Sequence, residues 1–166
     1  MQSKIKLLVM DMDGTLTDGK IYIGNNGEMF KSFCVKDGYG ITHILPNNSI
    51  ESAVITGRQS EIAKYRCKEL GIKYLYQGIK DKLKTMEHLM SELSLDYKNI
   101  AYIGDDDNDL ECMQKAGITG CPADSSMNII KISDFVSKKT GGNGAVRDFI
   151  EWIIFNEGVY ENVAKI

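Results

Sequence analysis

This chain of 166 residues is short of several things, and each shortage removes a class of function. No apolar run approaches the roughly 18 residues of a membrane span, so no bilayer-crossing helix is expected. No basic stripe is present: 20 Lys and Arg stand against 23 Asp and Glu, for a net charge of −3. Nucleic-acid binders concentrate positive charge on one face, so DNA and RNA are not expected partners. Met1-Gln2-Ser3-Lys4 runs directly into an apolar strand, without the apolar core and cleavage site of a secretory signal. Cys34, Cys67, Cys112 and Cys121 are widely spaced and form no C-x-x-C pair. Disulfide frameworks belong to smaller, cysteine-denser chains, so reduced thiols and a cytoplasmic location are expected. Only two prolines occur, Pro46 and Pro122, with no linker, repeat or low-complexity stretch, which predicts a single domain over residues 1–166. The two histidines, His43 and His88, stand in no catalytic pattern and read as ordinary helix residues.

What is present is an alternation of short apolar strands with amphipathic helices, the pattern of a parallel sheet covered on its faces. Strands are predicted at Lys6–Asp11, Ser52–Thr56, Tyr74–Gln77, Ile100–Ile103 and Phe135–Val136. Helices are predicted at Tyr39–Leu45, Ser60–Leu70, Lys80–Leu93, Asp107–Ala116 and Gly144–Asn156. One segment breaks the alternation. Residues 18–35 hold two strand-like runs around Gly24-Asn25-Asn26-Gly27, the signature of a β-hairpin. Lying between the first strand and the first helix, it should project from the carboxyl edge of the sheet. Its aromatics Tyr22, Phe30 and Phe33 would form a small apolar face.

The first strand, Leu7-Leu8-Val9-Met10, ends in Asp11-Met12-Asp13-Gly14-Thr15. Side chains alternate along a strand, so Asp11 and Asp13 start on one side. Two carboxylates that close repel unless a cation, a shared proton or both intervene. Ligands in open α/β sheets bind beyond the carboxyl ends of the strands, and polar residues collect there four times. After Asp11 and Asp13 come Thr56-Gly57-Arg58, then Lys80-Asp81-Lys82, then Gly104-Asp105-Asp106-Asp107-Asn108-Asp109. The last run is costly without a bound cation. Within it, Asp107 reads as an N-terminal helix residue favoured by the dipole.

In this order and spacing, D-x-D-G-T, T-G-R, Lys82 and G-D-D-D-N-D resemble the four motifs of the haloacid dehalogenase superfamily of phosphohydrolases, over nearly the whole chain. The resemblance implies a Rossmann-like α/β three-layer sandwich with a parallel sheet. It implies an Mg²⁺-dependent phosphomonoesterase working through an aspartyl-phosphate. Asp11 would be the nucleophile and Asp13 the general acid and base. Mg²⁺ would be held by Asp11, the Asp13 carbonyl and Asp105, with Asp106 and Asp109 orienting them. Thr56 and Gly57 would hold phosphoryl oxygens, and Lys82 would neutralise growing charge.

About forty residues separate Asp13 from Thr56, too few for a cap domain. Three further segments narrow the resemblance: Val35-Lys36-Asp37-Gly38-Tyr39-Gly40-Ile41, Tyr76-Gln77-Gly78, and Gly141-Gly142-Asn143-Gly144-Ala145-Val146-Arg147. They are similar to the phosphatases of 3-deoxy-D-manno-octulosonate 8-phosphate (Kdo 8-phosphate), an intermediate of lipopolysaccharide sugar synthesis. Also similar are the 9-phosphate phosphatases of nine-carbon sialic-type sugar acids, and a non-catalytic tetramerisation module attached to acylneuraminate cytidylyltransferases. The resemblance implies a homotetramer built through the hairpins, each active site capped by a neighbour. It assigns the sugar to Lys36, Asp37, Arg58, Arg66 and Arg147. Arg58 favours the Kdo enzymes, while Asn143, where those enzymes carry arginine, counts the other way.

Overall fold

The computed structural model describes residues 4–156; the ends of the expected 1–166 domain lie outside it. Its centre is a six-stranded, wholly parallel sheet of order β5-β4-β1-β6-β7-β8. The strands are β1 (Leu7–Met10), β4 (Glu51–Ile55), β5 (Tyr74–Tyr76), β6 (Ile100–Ile103), β7 (Ile118–Cys121) and β8 (Phe135–Val136). β1 is flanked on both sides, Leu7 registering with Glu51 of β4 and with Ile100 of β6. All four residues of β1 are buried, as a central parallel strand requires.

The period of two sorts the strand side chains into two cores. Leu8, Met10, Val54, Ala101 and Ile103 pack with α3 (Glu61–Glu69) and α7 (Ala145–Asn156), and with the helical run of α1 (Val35–Tyr39), a π turn at Gly40–Ile44 and α2 (Leu45–Asn47). Leu7, Val9, Ala53, Ile55, Ile100 and Tyr102 pack with α4 (Lys82–Glu92), α5 (Leu110–Lys115) and α6 (Met127–Ile132). The result is the three-layer α/β sandwich, with no cap domain among the described residues.

Two elements were not expected, β7 and α6. No strand is predicted for the β7 segment Ile118-Thr119-Gly120-Cys121, which lies between Gly117 and Pro122. Pairing with β6 makes it a strand, and Gly120 is required because a β-carbon there would strike the ring of Phe149. The predicted helix at Tyr39–Leu45 begins earlier, at Val35.

The hairpin is present as β2 (Tyr22–Gly24) and β3 (Gly27–Phe30), turning through Asn25-Asn26. A register shift lies between Tyr22 and Ile23, and the Tyr22 and Phe30 rings stack at 4.1 Å. Outside the stack it leaves Ile23 72% and Met29 62% exposed.

Candidate active site

The loops leaving β1, β4 and β6 converge because those strands are neighbours at the centre of the sheet. Asp11 continues the ladder for one residue, its N–H donating to the Ile103 carbonyl at 3.0 Å. An open cavity of about 230 Å³ lies above, lined by Asp11, Asp13, Thr56, Gly57, Arg58 and Asp105 among others. Gly14 has φ +97°, and a β-carbon there would overlap the Asp105 carboxylate. Glycine in D-x-D-G-T therefore gives both the turn and the space that lets the first and last motifs meet. Gly57 is different: a β-carbon would lie 3.6 Å from the nearest other atom, the Ile79 carbonyl. Space does not require glycine there, and its absence of side chain leaves a bare backbone edge facing the cavity.

Lys82 enters from the first position of α4, whose N-cap is Asp81, accepting from Lys84 N–H at 2.9 Å. A cation at a helix N-terminus opposes the dipole, and here it is also buried. Two carboxylates compensate: its Nζ lies 2.8 Å from both Asp11 Oδ1 and Asp109 Oδ1. Burial would lower the Lys82 pKa, but Asp11 and Asp109 outweigh it and hold it above the ordinary value.

Asp109 is fully buried and its oxygens are taken by protein donors. Oδ1 accepts from Lys82 and from the Tyr102 hydroxyl at 2.7 Å, and Oδ2 from the Asp105 N–H at 3.2 Å. A β-carbon on Gly104 would collide with this returning side chain. Asp109 thus fixes Lys82 and the Asp105 backbone. Asp105 Oδ1 accepts from the Thr15 hydroxyl at 2.9 Å. Asp106 is exposed, lines the cavity and accepts from the Asp107 N–H. Asp107 ties the loop to α6 through Ser126 and Asn128, at 2.8 and 3.1 Å.

The donor set fits a hard divalent cation. Asp11, Asp105 and Asp109 bring carboxylate oxygens within 4.8 Å of one another. One lysine does not neutralise three carboxylates. Burial, then the Asp109 charge, pushes Asp11 up to about 8; burial and the Asp109 charge push Asp105 up to about 6 against the Thr15 hydrogen bond. Without a cation the site must take up protons instead. With Asp109 occupied, Asp11 and Asp105 remain as side-chain donors, and all-oxygen ligation suits Mg²⁺.

Asp13 is set differently. Its Oδ1 accepts from the ammonium of Lys31, and its Oδ2 faces Arg58 Nε at 3.9 Å. Lys31 was not singled out by sequence, because a lysine in an alternating hairpin reads as solvated. In the fold its side chain is 2% exposed.

Four residues assigned to the sugar by resemblance do not line this cavity of the single chain. Buried Asp37 caps α7, accepting from Gly144 and Arg147 N–H at 3.2 and 2.8 Å. Arg147 pairs with Glu151 and lies over the Tyr39 ring. Arg66 pairs with Glu69 and lies over Phe33. Lys36 is exposed on α1. The glycine-rich segment instead supports the first motif: Gly142 N–H donates to the Thr15 carbonyl at 3.0 Å, and a side chain on Gly141 would strike the Gly14 carbonyl.

Comparison with known proteins gives consistent neighbours. A family model for haloacid dehalogenase-like hydrolases matches residues 75–150. The chain is 44% identical over 154 residues to 3-deoxy-D-manno-octulosonate 8-phosphate phosphatase KdsC of Salmonella typhi, covering 93% of this chain and 81% of that protein. The crystal structure of the phosphatase of that name from Yersinia pestis superposes with a TM-score of 0.91 at 38% identity, covering 97% of this chain and 86% of the other. The Moraxella catarrhalis phosphatase, in complex with magnesium ion, phosphate ion and a KDO molecule, gives a TM-score of 0.90 at 39% identity, covering 96% and 91%.

Proposed function

Because this chain belongs to the Kdo 8-phosphate phosphatases of the haloacid dehalogenase-like hydrolases, and is thereby an Mg²⁺-dependent phosphatase, we propose that it releases phosphate from Kdo 8-phosphate using the residues gathered above β1, β4 and β6. The observation that carries the residue assignment is the shared grip of Lys82 on Asp11 and Asp109 at the cavity floor, with Asp13 alongside. Asp11 attacks phosphorus in line while Asp13 protonates the departing sugar oxygen, leaving an aspartyl-phosphate. Asp13 then takes a proton from water, which attacks phosphorus and regenerates Asp11. Lys82 neutralises charge on the transferring group, and Thr56 with the Gly57 backbone holds its oxygens. Asp11, the Asp13 carbonyl and Asp105 would hold Mg²⁺, which would supply the positive charge that lets a carboxylate approach a phosphate dianion.

Arg58 reads the sugar carboxylate in this proposal. Its side chain is 46% exposed beside Asp13, within reach of a substrate extending out of a cavity too small to enclose an eight-carbon sugar. The hairpin supports a homotetramer whose subunits close one another's sites: Ile21, Ile23, Met29 and Phe30 are all half or more exposed, and Met29 and Phe30 line a groove of about 470 Å³ with Phe33, Val35 and Tyr65. A cytoplasmic location fits the four cysteines, all free thiols. Among the described residues no helix is long and apolar enough to cross a membrane.

The test is phosphate release with Mg²⁺ from Kdo 8-phosphate beside N-acetylneuraminate 9-phosphate. The expected result is a higher kcat/KM for the first. Preference for the second would move the substrate to nine-carbon acids, and release from neither would indicate an assembly module.

A further inference from the structure

Lys31 stands outside the four strand-end loops, yet it touches the site more intimately than most residues within them. It follows β3, on the returning arm of the hairpin. Its ammonium binds Asp13 Oδ1 and lies 3.0 Å from Glu28 Oε1. The other oxygen of Glu28 accepts from the Ser60 hydroxyl. Ser60 is the N-cap of α3, accepting from Ala63 N–H at 3.1 Å, and its own N–H donates to Gln77 Oε1 at 2.8 Å. Asp13 is thereby tied, through two hairpin residues, to the start of α3 and the end of β5.

Burying a lysine removes water from an ammonium and freezes a long side chain, so packing alone does not select it. What the burial secures is the orientation of one carboxylate. Oδ1 is anchored, whereas Oδ2 lies on the Arg58 side, where 3.9 Å is too long for a hydrogen bond. We propose that Lys31 is a positioning residue for the proton transfer: it holds Asp13 by Oδ1 so that Oδ2 faces the leaving and attacking oxygens, which makes the hairpin part of the catalytic apparatus. This rests on Asp13 acting as the general acid and base.

The experiment compares wild type, Lys31→Met, Lys31→Arg and Asp13→Asn on Kdo 8-phosphate and on p-nitrophenyl phosphate. The p-nitrophenolate leaves as a stable anion and needs no proton, while hydrolysis of the aspartyl-phosphate still needs the base. Lys31→Met should lower kcat on the sugar phosphate about 100-fold, the scale of a misplaced catalytic group. On p-nitrophenyl phosphate it should release one enzyme equivalent rapidly and then turn over slowly, a larger burst than wild type shows. Lys31→Arg, which keeps a cation, should recover part of both. Equal losses in the first turnover of both substrates, or no loss, would overturn the proposal. If Lys31→Met melts below the assay temperature, Lys31→Met/Glu28→Gln removes the unpaired carboxylate, and Lys31→Arg decides by the same asymmetry at smaller amplitude. If Asp13→Asn shows the asymmetry and the Lys31 variants do not, this inference fails alone; if Asp13→Asn keeps full activity, the assignment of Asp13 fails and this inference with it.

Discussion

Two buried lysines meet the catalytic aspartates from opposite regions. Lys82 comes from the sheet side, at the head of α4, and bridges Asp11 and Asp109 beneath the cavity, where all three side chains are buried. Lys31 comes from the hairpin and holds Asp13, whose side chain remains 20% exposed. The floor is built within one chain: Lys82 bridges two of its three carboxylates, and the strands bearing it are hydrogen-bonded on both sides. The hairpin is half finished: it is anchored to Asp13 and Ser60 through Lys31 and Glu28, while Ile21, Ile23, Met29 and Phe30 stand in water. Catalytic charge is thus built on the rigid part of the fold, while access and orientation depend on the part that offers a surface to a partner.

The hardest break of the floor is Asp11→Asn. The side chain keeps its shape and loses its nucleophilic charge, so phosphate release should fall to background with an unchanged circular dichroism spectrum. Active Asp11→Asn protein would end the covalent mechanism. Next, Lys82→Met leaves two buried carboxylates facing each other and should cost about 3–5 kcal/mol in thermal or urea melts without Mg²⁺. Lys31→Met, whose stranded partner Asp13 meets water, should cost only about 1–2 kcal/mol. Equal costs would erase the distinction between floor and hairpin. On the hairpin, shortening the loop between Ile21 and Phe33 should convert a tetramer into smaller species by light scattering; a trimmed tetramer would place the interface elsewhere.

Acidity sharpens the contrast through the floor alone. Asp11 near 8 and Asp105 near 6 lie above the ordinary value of 3.8, so the cation-free folded chain holds protons that the unfolded chain releases. The stability they leave in place is full below about pH 4 and is lost as pH rises toward 8. Mg²⁺ should therefore raise Tm more at pH 8 than at pH 5, and an equal rise would mean the cation does not relieve this repulsion. The smallest effect belongs to Arg58→Glu. It should lower kcat/KM for Kdo 8-phosphate about tenfold more than for p-nitrophenyl phosphate, the worth of one charged hydrogen bond. Matching losses would mean that Arg58 does not read the sugar.

The floor was legible in the sequence because each of its residues follows directly from a strand end or a helix start, where local pattern fixes position. The contacts that were not legible span the chain. Asp37 reads as a sugar-binding residue by resemblance until the start of α7, far along the sequence, is seen to lay its N–H groups on it. Arg147 reads as an anion binder until Tyr39 and Glu151 are seen to occupy it. β7 has a glycine where a strand predicts a β-branched residue, and only the approach of Phe149 explains it. Lys31 was hidden by its setting, since alternation in a hairpin says which residues share a face but not that one face closes over a carboxylate.

The central place of β1 carries a consequence in time. The strand that bears the nucleophile has both its hydrogen-bonding neighbours far ahead of it in the chain, β4 and then β6. Pairings of that kind are slow to form, because loop closure must precede any gain from contact. Helices α3 and α4 can form from local sequence, but Asp11, Asp105 and Lys82 meet only when both crossovers have docked. Recovery of phosphatase activity during refolding should therefore trail the helical signal, making turnover a late clock for the assembly of the sheet.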